Sequence, residues 1–154
     1  MLGTGLSEIV KMKLFKLIFL LHFVLGYSQE YTQDQKAVFI QAKKLDSLME
    51  NNDAEIVNLF CEDVSFGHSN GWVQDLDEFK KDFDSEKVRY KKVSQLEISE
   101  SKQSRNAVSL RRSIKVEGLY QNQDFEMKLA LLEIWIKKKS VWKLWSRQSV
   151  EIKP

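Results

Sequence analysis

The sequence predicts an α+β domain in which helices come first and cover one face of a mainly antiparallel sheet. Three observations predict it. Apolar residues recur at helical spacing as far as Phe83, the period changes to about 2 from Arg89 onward, and the single proline is Pro154, so no strand contains it. No internal repeat or low-complexity segment interrupts this order.

The chain has 154 residues and a formal charge of +2, but its first part has a different character. Residues 12–28 supply a basic start, an apolar run over 17–25 broken only by His22, and small residues at Gly26 and Ser28. That is the layout of a cleavable secretory signal, with the cut expected near Ser28/Gln29 and with Met12 opening a better signal than Met1. A secreted or periplasmic location follows. The apolar run is well short of the roughly 20 residues a membrane span needs, so no stable membrane insertion is expected. Removing residues 1–28 takes away Lys11, Lys13, Lys16 and Glu8 and leaves 21 basic and 21 acidic residues of the original 24 and 22. A neutral chain of about 126 residues suits one domain with a modest core and gives no electrostatic footprint for nucleic acid. Cys61 is alone, which forbids an intrachain disulfide and suits a small buried hydrophobe.

Helix one is expected over residues 33–50. Thr32 with Gln35 three residues on forms a capping box, and Val38, Ala42, Leu45 and Met49 make the buried stripe. A second helix is expected from Asn52, with Glu55 as its box partner, burying Ile56, Leu59 and Phe60. The strand that follows puts Val64, Phe66 and His68 on one parity, so a core-facing Phe66 also points His68 inward before Asn70-Gly71 turns the chain. Asp75 and Glu78 open a short third helix with Leu76, Phe79 and Phe83 inside and Lys80-Lys81-Asp82 on the solvated side.

In the sheet region Leu96 and Ile98 share the parity of Tyr90, whereas Val93 falls on the other. Residues 99–106 read as a turn. Val108, Leu110, Ile114 and Val116 then mark one face of a long strand; residues 118–123 read as a second turn, 125–137 as a third strand, Lys138-Lys139-Ser140 as a tight connection and 141–152 as the last strand.

Parity singles out two charged residues. Arg112 shares the face of Val108, Leu110, Ile114 and Val116, and Glu133 that of Met127, Leu129, Leu131 and Trp135. A charge on an apolar face must be paired or line a wet cavity. Three readings stand together: an internal pair that fixes strand packing, a polar patch at the bottom of a pocket, or a bulge that breaks the count. Trp142 and Trp145 lie on opposite parities, so one belongs to the outer sheet face and points to a covered sheet, hence a homodimer. Trp72 is expected at a pocket mouth or in ordinary core, and Tyr90 and Tyr120 are weaker candidates. His68 is the only histidine after processing and is suited to act as base, acid or donor near neutral pH. Metal-ligand spacing, Gly-rich phosphate loops, dinucleotide fingerprints and a serine nucleophile elbow are absent from the sequence, so neither metal nor cofactor is expected.

The order of these pieces resembles the nuclear transport factor 2 (NTF2)-like superfamily, and within it the small secreted SnoaL-like domains of DUF4440 type. The resemblance covers about residues 33–152. It rests on the helix ending Leu59-Phe60-Cys61-Glu62-Asp63, the stretch Val64 to Gly71, the short helix at 75–83 and the terminal hairpin bearing Trp135, Trp142 and Trp145. It implies a cone: a strongly curved mixed, mainly antiparallel sheet wrapped around the helices, with a small-molecule pocket between them and commonly a homodimer through the outer sheet face. In ketosteroid isomerase relatives an aspartate shuttles the proton from the strand position at or next to His68. The oxyanion partners of those enzymes are missing here, since the strand near Met127 to Leu131 is apolar apart from Lys128 on the other parity. Arg112, Glu133 and Gln148 supply a different polar set. The sequence therefore leaves two functions open: a binding domain in which His68, Trp72, Arg112, Glu133 and Gln148 hold a small, partly apolar ligand, and a small lyase, isomerase or cyclase with His68 as general base.

Overall fold

Thr32 opens the first helix as expected, its hydroxyl accepting from the Gln35 amide at 3.1 Å while the Gln35 side chain accepts from the Thr32 amide at 2.8 Å. The computed structural model describes residues 30–153, and the fold lies in the unit that begins at Tyr31. The expected signal at 1–28 and its cut near Ser28/Gln29 lie outside the described residues. Helix α1 (Gln33–Glu50) buries Val38, Ala42, Leu45 and Met49. The expected second α-helix is instead a single 3-10 segment, Ala54–Leu59, capped by Asp53 rather than Asn52. Asn52 adopts φ 49°, outside the extended region an N-cap occupies, and Phe60 already belongs to the next strand, so too few residues remain for an α-helix.

Strand β1 (Phe60–Gly67) pairs with the two-residue β2 (Val73–Gln74), and α2 (Leu76–Asp84) follows with its Asp75–Glu78 capping box. Phe79 and Phe83 are buried on its inner side. Strands β3 (Val88–Ser104), β4 (Ala107–Tyr120), β5 (Gln123–Lys138) and β6 (Val141–Glu151) form an antiparallel meander. β1 joins β6 in parallel, giving a six-stranded mixed sheet in the order β2-β1-β6-β5-β4-β3. The sheet is open, with β2 and β3 at its edges. Among the described residues no helix is long and apolar enough to cross a membrane.

Two expected turns are strand. Residues 99–104 continue β3, so the reversal is confined to Arg105 and Asn106. Gly118 lies inside β4, and the turn is Gln121-Asn122, both at positive φ, the geometry of a two-residue hairpin. Gly118 is required by closeness rather than by turning. A Cβ there would stand 2.3 Å from the Arg89 carbonyl oxygen and 2.9 Å from the Phe125 ring.

Bulges correct the parity count in two strands. β3 shifts register between Tyr90 and Lys92, between Gln95 and Glu97, and between Ile98 and Glu100. The first shift brings Val93 to the inner side with Tyr90; by Leu96 the face has turned outward, leaving that leucine 50% exposed. In β6 the register shifts at Trp145, because Trp135 pairs with Leu144 and Ile134 with Ser146. Trp142 and Leu144 face in; beyond the bulge Arg147 and Ser149 face in and Gln148 faces out.

Arg112 and Glu133 do face the core, and they pair. The guanidinium donates to Glu133 through Nη2 at 2.8 Å and Nε at 3.2 Å, and to Asp46 of α1 through Nη2 at 2.8 Å and Nη1 at 2.5 Å. The Trp135 indole N–H donates to the same Glu133 carboxylate at 3.2 Å. This cluster fastens α1 to β4 and β5 beside the main apolar core of Leu45, Ile56, Leu110, Trp135 and Leu144.

Burial alone would push the Glu133 carboxyl up, but the neighbouring Arg112 charge, with Arg147 behind it, holds it below the usual carboxylate range. Its contribution is therefore fully present above about pH 4.3 and is lost as pH falls through the lowered folded-state value. Urea unfolding at pH 7 is expected to show Arg112→Met destabilised by about 3–5 kcal/mol, since two buried carboxylates lose their shared partner. Wild-type stability in that variant would show that the cluster does not hold the helix to the sheet.

Candidate functional site

Two adjoining pockets, the two lobes of the candidate site, open between the sheet, β1 and α2. They have volumes of about 350 and 340 Å³ and share Phe66, His68, Asn70, Val88, Tyr90 and Tyr120 as common wall. The first lobe is closed by Met49, Trp72, Gln74, Phe79, Asp82 and Phe83; the second by Val116, Phe125, Met127, Leu129, Arg147 and Ser149. A larger depression of about 700 Å³ between α1 and β3 is an open groove along Phe39, Lys43 and Val93 and contains none of the residues singled out from the sequence. The aromatic and aliphatic walls of the two lobes, with a few converging polar groups, are the usual make-up of a small-molecule site.

His68 follows the end of β1 and is half-buried. Gly71, at φ +87°, lets the chain reverse so that the His68 amide donates to the Trp72 carbonyl at 2.8 Å. The Trp72 ring then stacks on the imidazole, with centroids 5.1 Å apart and planes 18° apart. Trp72 is 44% exposed and lines the first lobe, which puts it at the cavity's edge.

Hydrogen bonds fix the tautomer of His68. Its Nε2 lies 2.7 Å from Gln74 Oε1. The Gln74 amide nitrogen donates to the Asp82 carboxylate at 3.0 Å and to the Glu78 carbonyl at 3.3 Å, and both partners only accept, so the amide oxygen faces the ring. An amide oxygen cannot donate. Nε2 therefore carries the proton and Nδ1 the lone pair, with no side-chain partner among the described residues. The expected solvated side of α2 is corrected at Asp82, which turns toward Gln74 while Lys80 and Lys81 stay exposed. Burial lowers the proton affinity of His68; the Gln74 bond raises it, Arg147 lowers it and Asp82 raises it, and the balance lies below the ordinary histidine value.

The other residues named from the sequence are distributed differently. Arg112 and Glu133 line neither lobe, since their polar atoms are spent on each other, Asp46 and Trp135. Gln148 is exposed on the far side of β6 because of the Trp145 bulge, and its amide donates to the His68 carbonyl at 2.9 Å, bracing that loop from outside. Arg147, not singled out from the sequence, takes the inward place. It is 4% exposed, lies 4.7 Å over the Phe66 ring and lines the second lobe. Burial pushes its guanidinium below the usual range, with Glu133 opposing and Arg112 reinforcing that direction. Burial likewise raises the Tyr90 hydroxyl, and the Arg147 charge counteracts it. Regular alternation already accounts for Trp142 inside and Trp145 outside, so the parity of the tryptophans gave no sign of the bulge that turns Arg147 inward.

Solved structures place this architecture. An NTF2-like protein from Cytophaga hutchinsonii superposes with a TM-score of 0.72 at 19% identity, over 79% of this chain and 100% of that one. The fold is NTF2-like. A ketosteroid isomerase-like protein from Erwinia carotovora atroseptica matches with a TM-score of 0.69 at 14% identity over 80% and 100% of the two chains, and an NTF2-like protein of unknown function from Prochlorococcus with 0.69 at 12% over 80% and 96%. No family model matches the chain, and no curated protein does. The narrower DUF4440 likeness thus stands on the sequence resemblance alone. In this NTF2-like domain, as in any fold hosting many chemistries, the site residues rather than the fold must carry the function.

The hydrogen-bond chain from Asp82 through Gln74 makes a spectroscopic prediction. Nitrogen-detected NMR of the His68 ring, assigned by its loss in His68→Ala, is expected to show the Nε2–H tautomer and a titration midpoint below about 6.5. Gln74→Leu removes a bond that raises the value, so its midpoint falls further. Because the folded-state value is lowered, stability rises with pH from the folded midpoint up to the unfolded one, near 6.5. A midpoint at or above the unfolded value would overturn the burial argument.

Proposed function

We propose that this NTF2-like domain binds a small, partly apolar ligand in the His68 cavity and works as a secreted or periplasmic homodimer. The observation that carries the reading is the pair of adjoining lobes, both walled by Phe66, Tyr90 and Tyr120 and reached by His68, with Trp72 at the first and Arg147 and Phe125 at the second. Arg112, Glu133 and Gln148 support these groups from behind rather than touching the ligand. The dimer reading draws on the outer sheet face, where β5 carries Ala130, Leu132, Ile134 and Ile136 beside the exposed Trp145 and Val150 of β6. An apolar stripe of that kind is what an interface covers. The location rests on the signal-like layout of residues 12–28.

A second reading makes the domain a small lyase, isomerase or cyclase. One observation favours it. With Nε2 held by Gln74 and the ring's proton affinity lowered, His68 is deprotonated at neutral pH and Nδ1 is its basic atom, as a general base requires.

Native mass spectrometry of the exported protein tests the first reading. The expected result is a dimer of chains beginning near Gln29 with a defined extra mass that is lost or weakened in His68→Ala, while the circular dichroism of the variant stays unchanged. A monomer removes the interface. Unaltered ligand retention and turnover in His68→Ala remove the central role of this histidine in both readings.

A further inference from the structure

Arg147 is a buried cation whose hydrogen-bonding capacity is almost unused. Its only hydrogen-bond partner among the described residues is the Met49 sulfur at 3.8 Å, and its Nε has none. The reason lies in the cluster next to it. Glu133 sits directly across from Arg147 in the β5–β6 register, but both its oxygens already accept from Arg112, and one also from Trp135. Asp46 turns both oxygens to Arg112 and makes no hydrogen bond to Arg147. Two carboxylates and two guanidiniums balance in charge, so what Arg147 lacks is an acceptor within hydrogen-bond reach rather than counter-charge. A buried donor left unmatched is costly, and structures retain one where something else supplies the acceptor.

We infer that Arg147 recognises a carboxylate, so that the ligand of this cavity is an amphipathic acid with its anionic head at Arg147 and its apolar or aromatic body along Val116, Phe125 and Met127. The inference rests on the ligand-binding reading above and adds the chemical class. The planar fork of a guanidinium matches two carboxylate oxygens, and such charge-assisted bonds are roughly twice as strong as neutral ones. Tyr90 borders the same lobe, and its hydroxyl makes no hydrogen bond among the described residues, so a second donor stands at the wall. Polar side chains of His68, Ser69, Asn70, Tyr120 and Ser149 also line the lobe, and the single buried guanidinium with its planar fork favours a monoanionic carboxylate. The lobe, about 340 Å³, is of a size for a compact acid.

The test compares 3-phenylpropanoate with its near-isosteric amide, 3-phenylpropanamide, by isothermal titration calorimetry of the full chain at pH 7.5. The acid is expected to bind at least about tenfold more tightly. In Arg147→Met that preference collapses, with amide affinity kept within about twofold, and Arg147→Lys falls between because an ammonium lacks the planar fork. Should Arg147→Met fail to fold by near-ultraviolet circular dichroism, the wild-type preference and its behaviour in Arg147→Lys decide the matter. Equal affinity for acid and amide overturns the carboxylate assignment while leaving ligand binding intact. A preference that survives in Arg147→Met overturns the role of Arg147, and binding of neither probe overturns this inference together with the reading beneath it.

Discussion

Arg112 is the buried joint between the helix layer and the sheet. Four of its five N–H donors are used, two toward Asp46 on α1 and two toward Glu133 on β5, and its side chain is fully shielded from water. Removing such charges from water costs several kcal/mol per ion, and only near-complete hydrogen bonding offsets it. The geometry is correspondingly demanding. α1 has one position and one rotation that bring Asp46 to Arg112 while Val38, Ala42, Leu45 and Met49 fill the apolar side, so the cluster selects the seating of the helix that apolar contact alone would leave less defined. Gln35, donating from the other end of α1 to the Ser101 carbonyl at 2.9 Å, fixes the second point of a line.

That seating also determines where the cavity can be. α1 covers the sheet around Leu110, Trp135 and Leu144, and beyond Met49 its cover ends. α2 closes the space from one side with Phe79, Asp82 and Phe83, and the 3-10 segment that replaces a second full helix leaves β1 free to run on to His68. The remaining gap over Val116, Phe125 and Met127 has sheet on one side and no helix on the other. A domain of this size that spends its helices at one end of a long meander leaves the other end hollow, and the polar groups found there are those set down by strand ends and bulges.

Much of this fold was legible because it depends on local patterns. The capping box at Thr32, the stripe through Met49, the change of period after Arg89 and the inward arginine and glutamate follow from residue spacing that no distant contact overrides. What was not legible depends on register. The bulges in β3 turn Leu96 outward and Val93 inward, and the one at Trp145 exchanges Gln148 for Arg147, since a single inserted residue moves every later side chain to the opposite face. Asp46 and Asp82 were hidden for another reason. Asp46 falls on the buried stripe of α1, four residues after Ala42 and three before Met49, but its partner Arg112 comes from a sequence-distant strand; Asp82 borders the solvated side of α2 and is drawn in by Gln74, eight residues earlier.

The site that results has two poles with opposite effects on one ring. Burial against Phe66 and Trp72, reinforced by the Arg147 charge, disfavours a proton on His68, whereas the Gln74 hydrogen bond and the Asp82 charge favour it. An anion seated at Arg147 cancels the opposing charge without touching the Asp82–Gln74 side. The balance then moves toward protonation, so that occupation of the second lobe and the acid–base state of the first are linked through His68, whose two neighbours face it from different elements, β6 and α2. A neutral ligand filling the same space removes water but no charge, and leaves the ring a weaker base than before. An anionic head at Arg147 thus shifts the His68 balance toward the imidazolium and a neutral one toward the free base, which couples the two functional readings through one ring.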